Sequence, residues 1–407
     1  MPATDSQSFV VRAFVSTLTL ALVCLPARAH AQSSRAEAIA QEKAAKATRL
    51  TPPEVTRGER VGAMIDDLVA KGPPAGFYPS FGSVYTSGMF ALGPGYHTGV
   101  GDTGIFDVHG IWSVRGYRLL STKFVMPRLA DDRLTVTTRA NWFDATHVPF
   151  FGIGPAAAER DRTTYRYAQT QVSGDGLWRL SRLASISAGL AWMRVNTGEG
   201  RGSISIEDVF DADAAPGLGL DPSFIVARAG AGLDWRPSAG YARRGGTLGG
   251  EVIRYAARAG APLSFTRIDV QGSQLIPLRH EQWVIALRGF ASFTATSDDQ
   301  VIPYFLMPAL GEDSTEMRGF ASRRFRDRNR MQFTAEYRWM PAEFLDMALF
   351  ADAGTVAANH HDLDLGELKT SLGLGLRVHT SRETLLRLEV ARSRDGLRLI
   401  LGTGAAF

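Results

Sequence analysis

From about Gly76 to the end of the chain, apolar and polar residues alternate with a period of two. Met331, Phe333, Ala335, Tyr337 and Trp339 interleave with Gln332, Thr334, Glu336 and Arg338. Leu372, Leu374, Leu376 and Val378 interleave with Gly373, Gly375, Arg377 and His379, and Leu386, Leu388 and Val390 with Arg387, Glu389 and Ala391. In the last segment Leu397, Leu399, Leu401, Thr403, Ala405 and Phe407 share a face opposite Arg398, Gly402 and Gly404. Side chains of a strand point to opposite faces in turn, so this period predicts strands with one apolar face. A soluble sandwich alternates too. Here, however, no second apolar set supplies a sandwich core, and aromatics stand at the expected strand ends (Trp339, Phe407, Trp283, Trp142), as in a membrane girdle.

Connector lengths sharpen the prediction. Counting back from Phe407, short links at Thr380–Glu383, Met340–Leu345, Ile276–Glu281, Ser181–Arg182 and Met126–Asp132 alternate with longer ones at Thr355–Glu367, Ser297–Arg330, Asn196–Pro222 and Ala145–Thr163. Outer-membrane barrels show this parity, with tight periplasmic turns and long outside loops. Two links break it: Arg394–Gly396 is short for an outside loop and Arg236–Gly246 is long for a turn. With a first hairpin around Thr86-Ser87-Gly88, the expected fold is an all-β, transmembrane, antiparallel β-barrel of about sixteen strands. Its expected span is residues 76–407.

The N-terminal part reads differently. Arg12, the apolar stretch Ala13–Pro26 and Ala29-His30-Ala31 form a secretory signal over residues 1–31. The stretch is short of the about 20 residues that a spanning helix needs. Its Cys24, the only cysteine, lacks the small preceding residues of a lipoprotein site, so the exported chain is expected to hold no thiol chemistry, disulfide or Cys-based zinc site. Residues 32–75 are expected to be a short helical segment: Ala36–Leu50 is rich in Ala, Glu, Lys and Arg, Pro52-Pro53 interrupts it, and Val61, Met64, Ile65, Leu68 and Val69 share a helical face. That face fits a helix lying against the barrel or one inserted into the lumen. After Pro26 no apolar run could span a membrane as a helix, which leaves a closed barrel as the way across. A formal charge of +4 is too mild to point to nucleic acid.

Inside the Ser297–Arg330 loop stands Met317-Arg318-Gly319-Phe320, followed by Arg324-Phe325-Arg326-Asp327 and a strand containing Glu336. One strand later comes Phe350-Ala351-Asp352-Ala353-Gly354. By alternation Glu336, Phe350 and Asp352 face the lumen, where a loop arginine folding inward would meet carboxylates. This arrangement resembles the outer membrane protein 85 superfamily, the BamA/TamA-type assembly and translocation barrels. Its hallmark is an R-G-[FY] tip on the sixth outside loop docked on an F-x-D-x-G strand. Further matches are Phe151-Gly152-Ile153-Gly154 before Asp161-Arg162-Thr163-Thr164-Tyr165, Gly373-x-Gly375-x-Arg377 and the terminal phenylalanine. Arg288-Gly289-Phe290, placed mid-strand, reads as a chance copy of the tip.

The resemblance implies that Arg318, Gly319 and Phe320 dock in the lumen on Phe350, Asp352, Gly354 and Glu336. It also implies that Gly402, Gly404 and Phe407 mark the seam strand and its assembly signal. Expected partners are outer-membrane lipid and lipopolysaccharide, client proteins and the machinery that inserts the barrel itself. The stretch before the first strand lacks the strands of a POTRA module, so client capture there is not carried over. The implied activity is protein insertion or translocation; a transport pore or surface receptor on the same barrel is the alternative, and a structural or surface-antigen role the third.

An enzyme is not expected. The chain has no G-x-S-x-G elbow. His360-His361-Asp362-x-Asp364 reads as a solvated loop rather than a metal cluster, and Glu207–Asp213 lacks the glycine and terminal glutamate of an EF-hand. No cofactor is expected. Arg139, Arg338 and Arg377 could bias a pore towards anions, although lumen charges commonly pair with one another.

Overall fold

The computed structural model describes Pro73, residues 75–402 apart from 203, 280, 313, 343, 381 and 382, and Gly404. The expected signal, nearly all of the expected helical segment and Phe407 lie outside the described residues.

The strands are β1 (Gly76–Gly82), β2 (Ala91–Val100), β3 (Gly104–Ser113), β4 (Arg118–Arg128), β5 (Leu134–Phe150), β6 (Thr163–Arg179), β7 (Ala184–Glu199), β8 (Ser223–Asp234) and β9 (Gly245–Ala257). They continue as β10 (Phe265–Arg279), β11 (Trp283–Ala295), the two-residue β12 (Ala309–Leu310) and β13 (Phe325–Arg326), β14 (Asn329–Ala342), β15 (Leu345–Ala357), β16 (Lys369–His379), β17 (Thr384–Ser393) and β18 (Gly396–Gly402). All but β12 and β13 form one 16-stranded sheet in chain order, and each neighbouring pair is antiparallel. β12 and β13 pair only with each other, inside the long link between β11 and β14. Connector lengths alternate as read from the sequence, including the short β17–β18 link and the long β8–β9 link. Among the described residues no helix is long and apolar enough to cross a membrane, which bears only on helices.

The alternation becomes a division between two faces. Leu397, Leu399 and Leu401 are 73%, 71% and 69% exposed, and Leu372 and Leu374 point outward likewise. On the other face of β16 Ser371 and Arg377 are buried, as are Arg387 and Glu389 on β17. A leucine left in water forgoes roughly 1.5–3 kcal/mol of burial, so leucines outside and arginines inside suit hydrocarbon around the sheet. Trp142 is the exception among the expected girdle residues at strand ends: it lies mid-way along β5, whose further residues from Ala145 are largely buried.

The expected closure is not found. Among the described residues the sheet order begins at β1 and ends at β18, with no ladder between them. Both edges are seven residues long. Pro79 removes a donor from β1. β18 is described as far as Gly402; beyond it Gly404 has a positive φ of 77° and its N–H donates to the Thr384 carbonyl at 3.0 Å. At the long-loop end an apolar cluster including Phe150, Tyr165, Tyr304, Phe305 and Phe265 packs the loops over the lumen. Tyr165 and Tyr304 meet edge to face at 5.0 Å, as aromatic quadrupoles favour.

Candidate functional site: a loop docked in the lumen

The link between β11 and β14 folds back into the sheet. Its stem is the β12–β13 pair, with Leu310 opposite Phe325. The tip turns through Met317, whose positive φ of 42° is uncommon outside glycine, and closes when the Phe320 N–H donates to the Met317 carbonyl at 2.9 Å. This turn delivers Arg318 to the wall formed by β14–β17.

Arg318 is enclosed. Its Nη2 and Nε donate to the two Asp352 carboxylate oxygens at 2.8 and 3.1 Å, and its backbone N–H also reaches Asp352 at 3.0 Å. Nη1 donates to Glu336 at 2.6 Å and to Glu389 at 3.3 Å. The guanidinium carbon lies 3.4 Å from the Phe350 ring centroid. The planar fork thus meets a carboxylate edge-on and an aromatic face flat-on, which a lysine could not reproduce. Thr334 and Ser371 donate to Asp352 at 3.0 and 3.2 Å, so the aspartate's orientation does not rest on the arginine alone. Behind this layer Arg377 binds Glu336 and Glu389, Arg338 binds Glu336 at 2.6 Å and Arg387 binds Glu389 at 2.9 Å. Such pairs lose much hydration, and their cohesion depends on every member being partnered.

The glycines of the site are set by close approach. A Cβ on Gly319 would sit 2.5 Å from the Ser371 Cβ, and the Gly319 carbonyl accepts from Ser393 Oγ at 2.7 Å. A Cβ on Gly354 would meet Leu310 at 2.9 Å. Gly373 lies against the Phe350 ring, where a Cβ would come within 2.3 Å, and Gly375 makes room for Glu389. Phe320 anchors the tip among Leu310, Met317, Phe325 and Val356.

Three of the matched segments meet here. The Gly154 N–H donates to the Arg326 carbonyl at 2.8 Å, and Arg324 stacks between Phe151 and Phe325 at 4.8 and 4.5 Å. Arg326 is fully buried, donating to the Tyr304 and Pro149 carbonyls at 3.0 Å each and lying over Phe150 at 4.9 Å.

The loop also reaches both ends of the sheet. Towards β17–β18, Arg387 donates to Ser314 and Arg324 to Asp395, at 3.2 and 2.8 Å. Towards β1–β2, Thr86 donates to the Glu312 carbonyl and Arg323 to the Tyr85 hydroxyl, at 2.6 Å each. Burial raises the Glu312 carboxyl, but Arg330, Arg323 and Arg267 lower it by more, so it is held below the usual carboxylate range.

The structure brings together Arg318, Gly319, Phe320, Glu336, Phe350, Asp352 and Gly354. Gly402 lies apart from that cluster, at the end of β18, where a Cβ would meet the Arg387 guanidinium at 2.8 Å. Gly404 is exposed. Sequence reasoning did not single out Glu389, Arg387, Ser371 or Thr334, although all stand on the polar side of its alternation. It also set aside Arg288-Gly289-Phe290. Arg288 in fact donates to Thr315 of the loop at 3.2 Å, and Phe290 lies 4.3 Å beneath the Arg330 guanidinium. The lumen arginines pair: Arg139 with Asp175 at 3.4 Å, and Arg338 and Arg377 as above. His360 and His361 lie exposed in a short helical turn, and among the described residues no group of three His, Cys, Asp or Glu is placed to hold a metal.

A sheet apolar outside and ionic inside, with a long loop pinned in its interior, defines an outer-membrane type of β-barrel protein. The sequence matches the Omp85 superfamily domain over residues 110–396, most of its length, and the chain belongs to that superfamily, whose barrels reside in the outer membrane. The match leaves β1, β2, the first part of β3 and all but the first residue of β18 outside it. Among solved structures, the fold is similar to BamA from Haemophilus ducreyi lacking POTRA domains 1–3, with 14% identity and a TM-score of 0.60, covering 82% of this chain and 70% of that one. It is also similar to CdiB from Escherichia coli, with 14% identity and a TM-score of 0.53, covering 82% of this chain and 62% of that one. No curated protein matches the sequence.

Proposed function

We propose that the chain acts in the insertion of proteins into the outer membrane or their translocation across it. The observation that carries this reading is the pair of edges, β1 and β18, left unpaired among the described residues beside a loop that hydrogen-bonds to both flanking hairpins. An exposed edge offers a row of N–H and C=O groups to an incoming strand. In this mechanism a client strand adds to the seam, while the Arg318 tip, docked on Phe350, Asp352, Gly354 and Glu336, keeps the two hairpins in position. Gly402 and Gly404 weaken the last strand for exchange, and Phe407 serves as the signal by which the assembly machinery inserts this barrel. Outer-membrane lipid and lipopolysaccharide surround it, a signal over residues 1–31 exports it, and no catalytic step or cofactor is involved. Cysteine pairs placed along β1 and β18 test the seam. Oxidation should abolish client assembly and reduction restore it; a locked form that still assembles clients rules the mechanism out.

A transport pore is the second reading. It is favoured by a cavity of about 330 Å³ along β7–β11, lined by small residues such as Ser187, Gly230 and Gly249 with Glu251 and Asp269. A large, steady, ion-selective conductance from the purified protein in a planar bilayer would favour the pore over the insertase.

A further inference from the structure

The β8–β9 link, residues 235–244, is longer than its place in the sheet requires. It lies at the short-turn end, where two to five residues suffice to join antiparallel strands. Its base is clamped: Arg236 forks onto Asp234 at 3.0 and 2.8 Å, and the Trp235 N–H donates to the Gly246 carbonyl at 3.0 Å. Gly245 completes the clamp with a φ of 88°, and a Cβ there would strike the Trp235 carbonyl at 2.5 Å.

The middle of the link folds inward and away from its own strands. Ala242 packs on Leu275, Val284 and Ala286, the buried side of β10 and β11. Arg243 donates to the Glu281 and Gln282 carbonyls of the β10–β11 turn. Beyond them, the Tyr241 hydroxyl donates to Asp346 of β15 at 2.7 Å, and its ring stacks on His379 of β16 at 4.1 Å. Arg243 reaches Asp346 as well, at 3.0 Å. In the sheet order β10, β11 and β14 stand between β9 and β15. Asp346 and His379 are nearly fully buried. Charge-assisted bonds in so enclosed a place hold more firmly than a surface turn would.

We infer that residues 235–244 form a strap that closes part of the short-turn mouth, latched to β15–β16 by Tyr241 and Arg243, and that its release opens the lumen from that side. The latch stands on the wall that holds the docked loop: Asp346 lies opposite Arg377 in the β15–β16 ladder, and Arg377 binds the two glutamates that receive Arg318. On this geometry the strap guards the periplasmic entrance, and whatever enters the lumen from below displaces it first.

The inference rests on the reading of the sheet as a membrane barrel. The test uses the full chain in proteoliposomes, with Cys24 replaced by alanine and an Ala286→Cys reporter under the strap. A small maleimide should label this cysteine slowly. Labelling should accelerate at least tenfold when residues 237–243 are replaced by Asn-Gly, several-fold in Arg243→Gln, and by a smaller factor in Tyr241→Phe, which keeps the ring stack. Equal rates in all four chains overturn the strap. Heat-modifiable gel migration reports folding separately. If the shortened chain fails to fold, Tyr241→Phe decides: labelling no faster than in the parent overturns the inference. Failure of the parent chain itself to insert would instead overturn the barrel reading.

Discussion

Two stretches of the same wall face the lumen with different packing. On β14–β17 the inward positions carry Glu336, Arg338, Asp352, Arg377, Arg387 and Glu389, all buried and all paired. On β7–β10 many are serine or glycine, and a cavity remains. The first stretch is filled by the docked loop. The outer faces of the two stretches are both apolar, with Phe333, Leu349, Leu372 and Leu386 exposed on the first and Ile186, Leu190, Trp192 and Val252 on the second. The surrounding apolar phase therefore dictates one face everywhere, whereas the inner face records what each stretch holds. Charges are tolerated inside because each has a partner, and the loop arginine is one of the partners.

Removing that arginine should break the contrast most strongly. Arg318→Ala leaves Asp352, Glu336 and Glu389 without their shared cation, and truncating one member of such a buried network costs about 3–5 kcal/mol. The thermal midpoint of the heat-modifiable gel shift should fall accordingly. A simple charge exchange should not repair it. In Arg318→Asp with Asp352→Arg, the new aspartate would face Glu336 and Glu389, so the double variant should stay well below the parent; full recovery would show that Asp352 alone matters.

Glycine substitutions separate the two stretches next. Gly319→Ala and Gly373→Ala meet Ser371 and the Phe350 ring at 2.5 and 2.3 Å, and overpacking of this kind costs about 1–3 kcal/mol. Phe350→Leu keeps the apolar contact but removes the face under Arg318, a loss of about 0.5–2 kcal/mol read by the same gel shift. On the other stretch Gly249→Ala meets nothing closer than the Ala231 carbonyl at 3.6 Å. It should shift the urea midpoint by no more than about 0.5 kcal/mol equivalent. A large effect there would erase the distinction between a filled and an unfilled wall.

Much of this was legible from alternation and link length. The sixteen strands, the outward leucines, the inward Glu336, Phe350 and Asp352 and the two exceptional links all followed from counting. Family resemblance added the expectation that Arg318 folds inward. Glu389 and Thr334 were placed on the correct face but given no partner, because period two assigns a side and not a neighbour. Arg288-Gly289-Phe290 lies mid-strand as expected, but nothing local showed that Arg288 would meet Thr315 of a returning loop.

The sequence by itself determined which residues meet lipid and which meet the interior, because a strand's pleat turns every second side chain the same way whatever surrounds it. Only the tertiary structure decided that β1 and β18 are left unpaired among the described residues, that one loop reaches the hairpins on both sides of them, and that a turn crosses to β15–β16. Those outcomes depend on contacts such as Arg323 with Tyr85 and Tyr241 with His379, more than a hundred positions apart in the chain. Such distances are set by how the sheet curls and where its long links fold back, and no local pattern of apolar and polar residues encodes them.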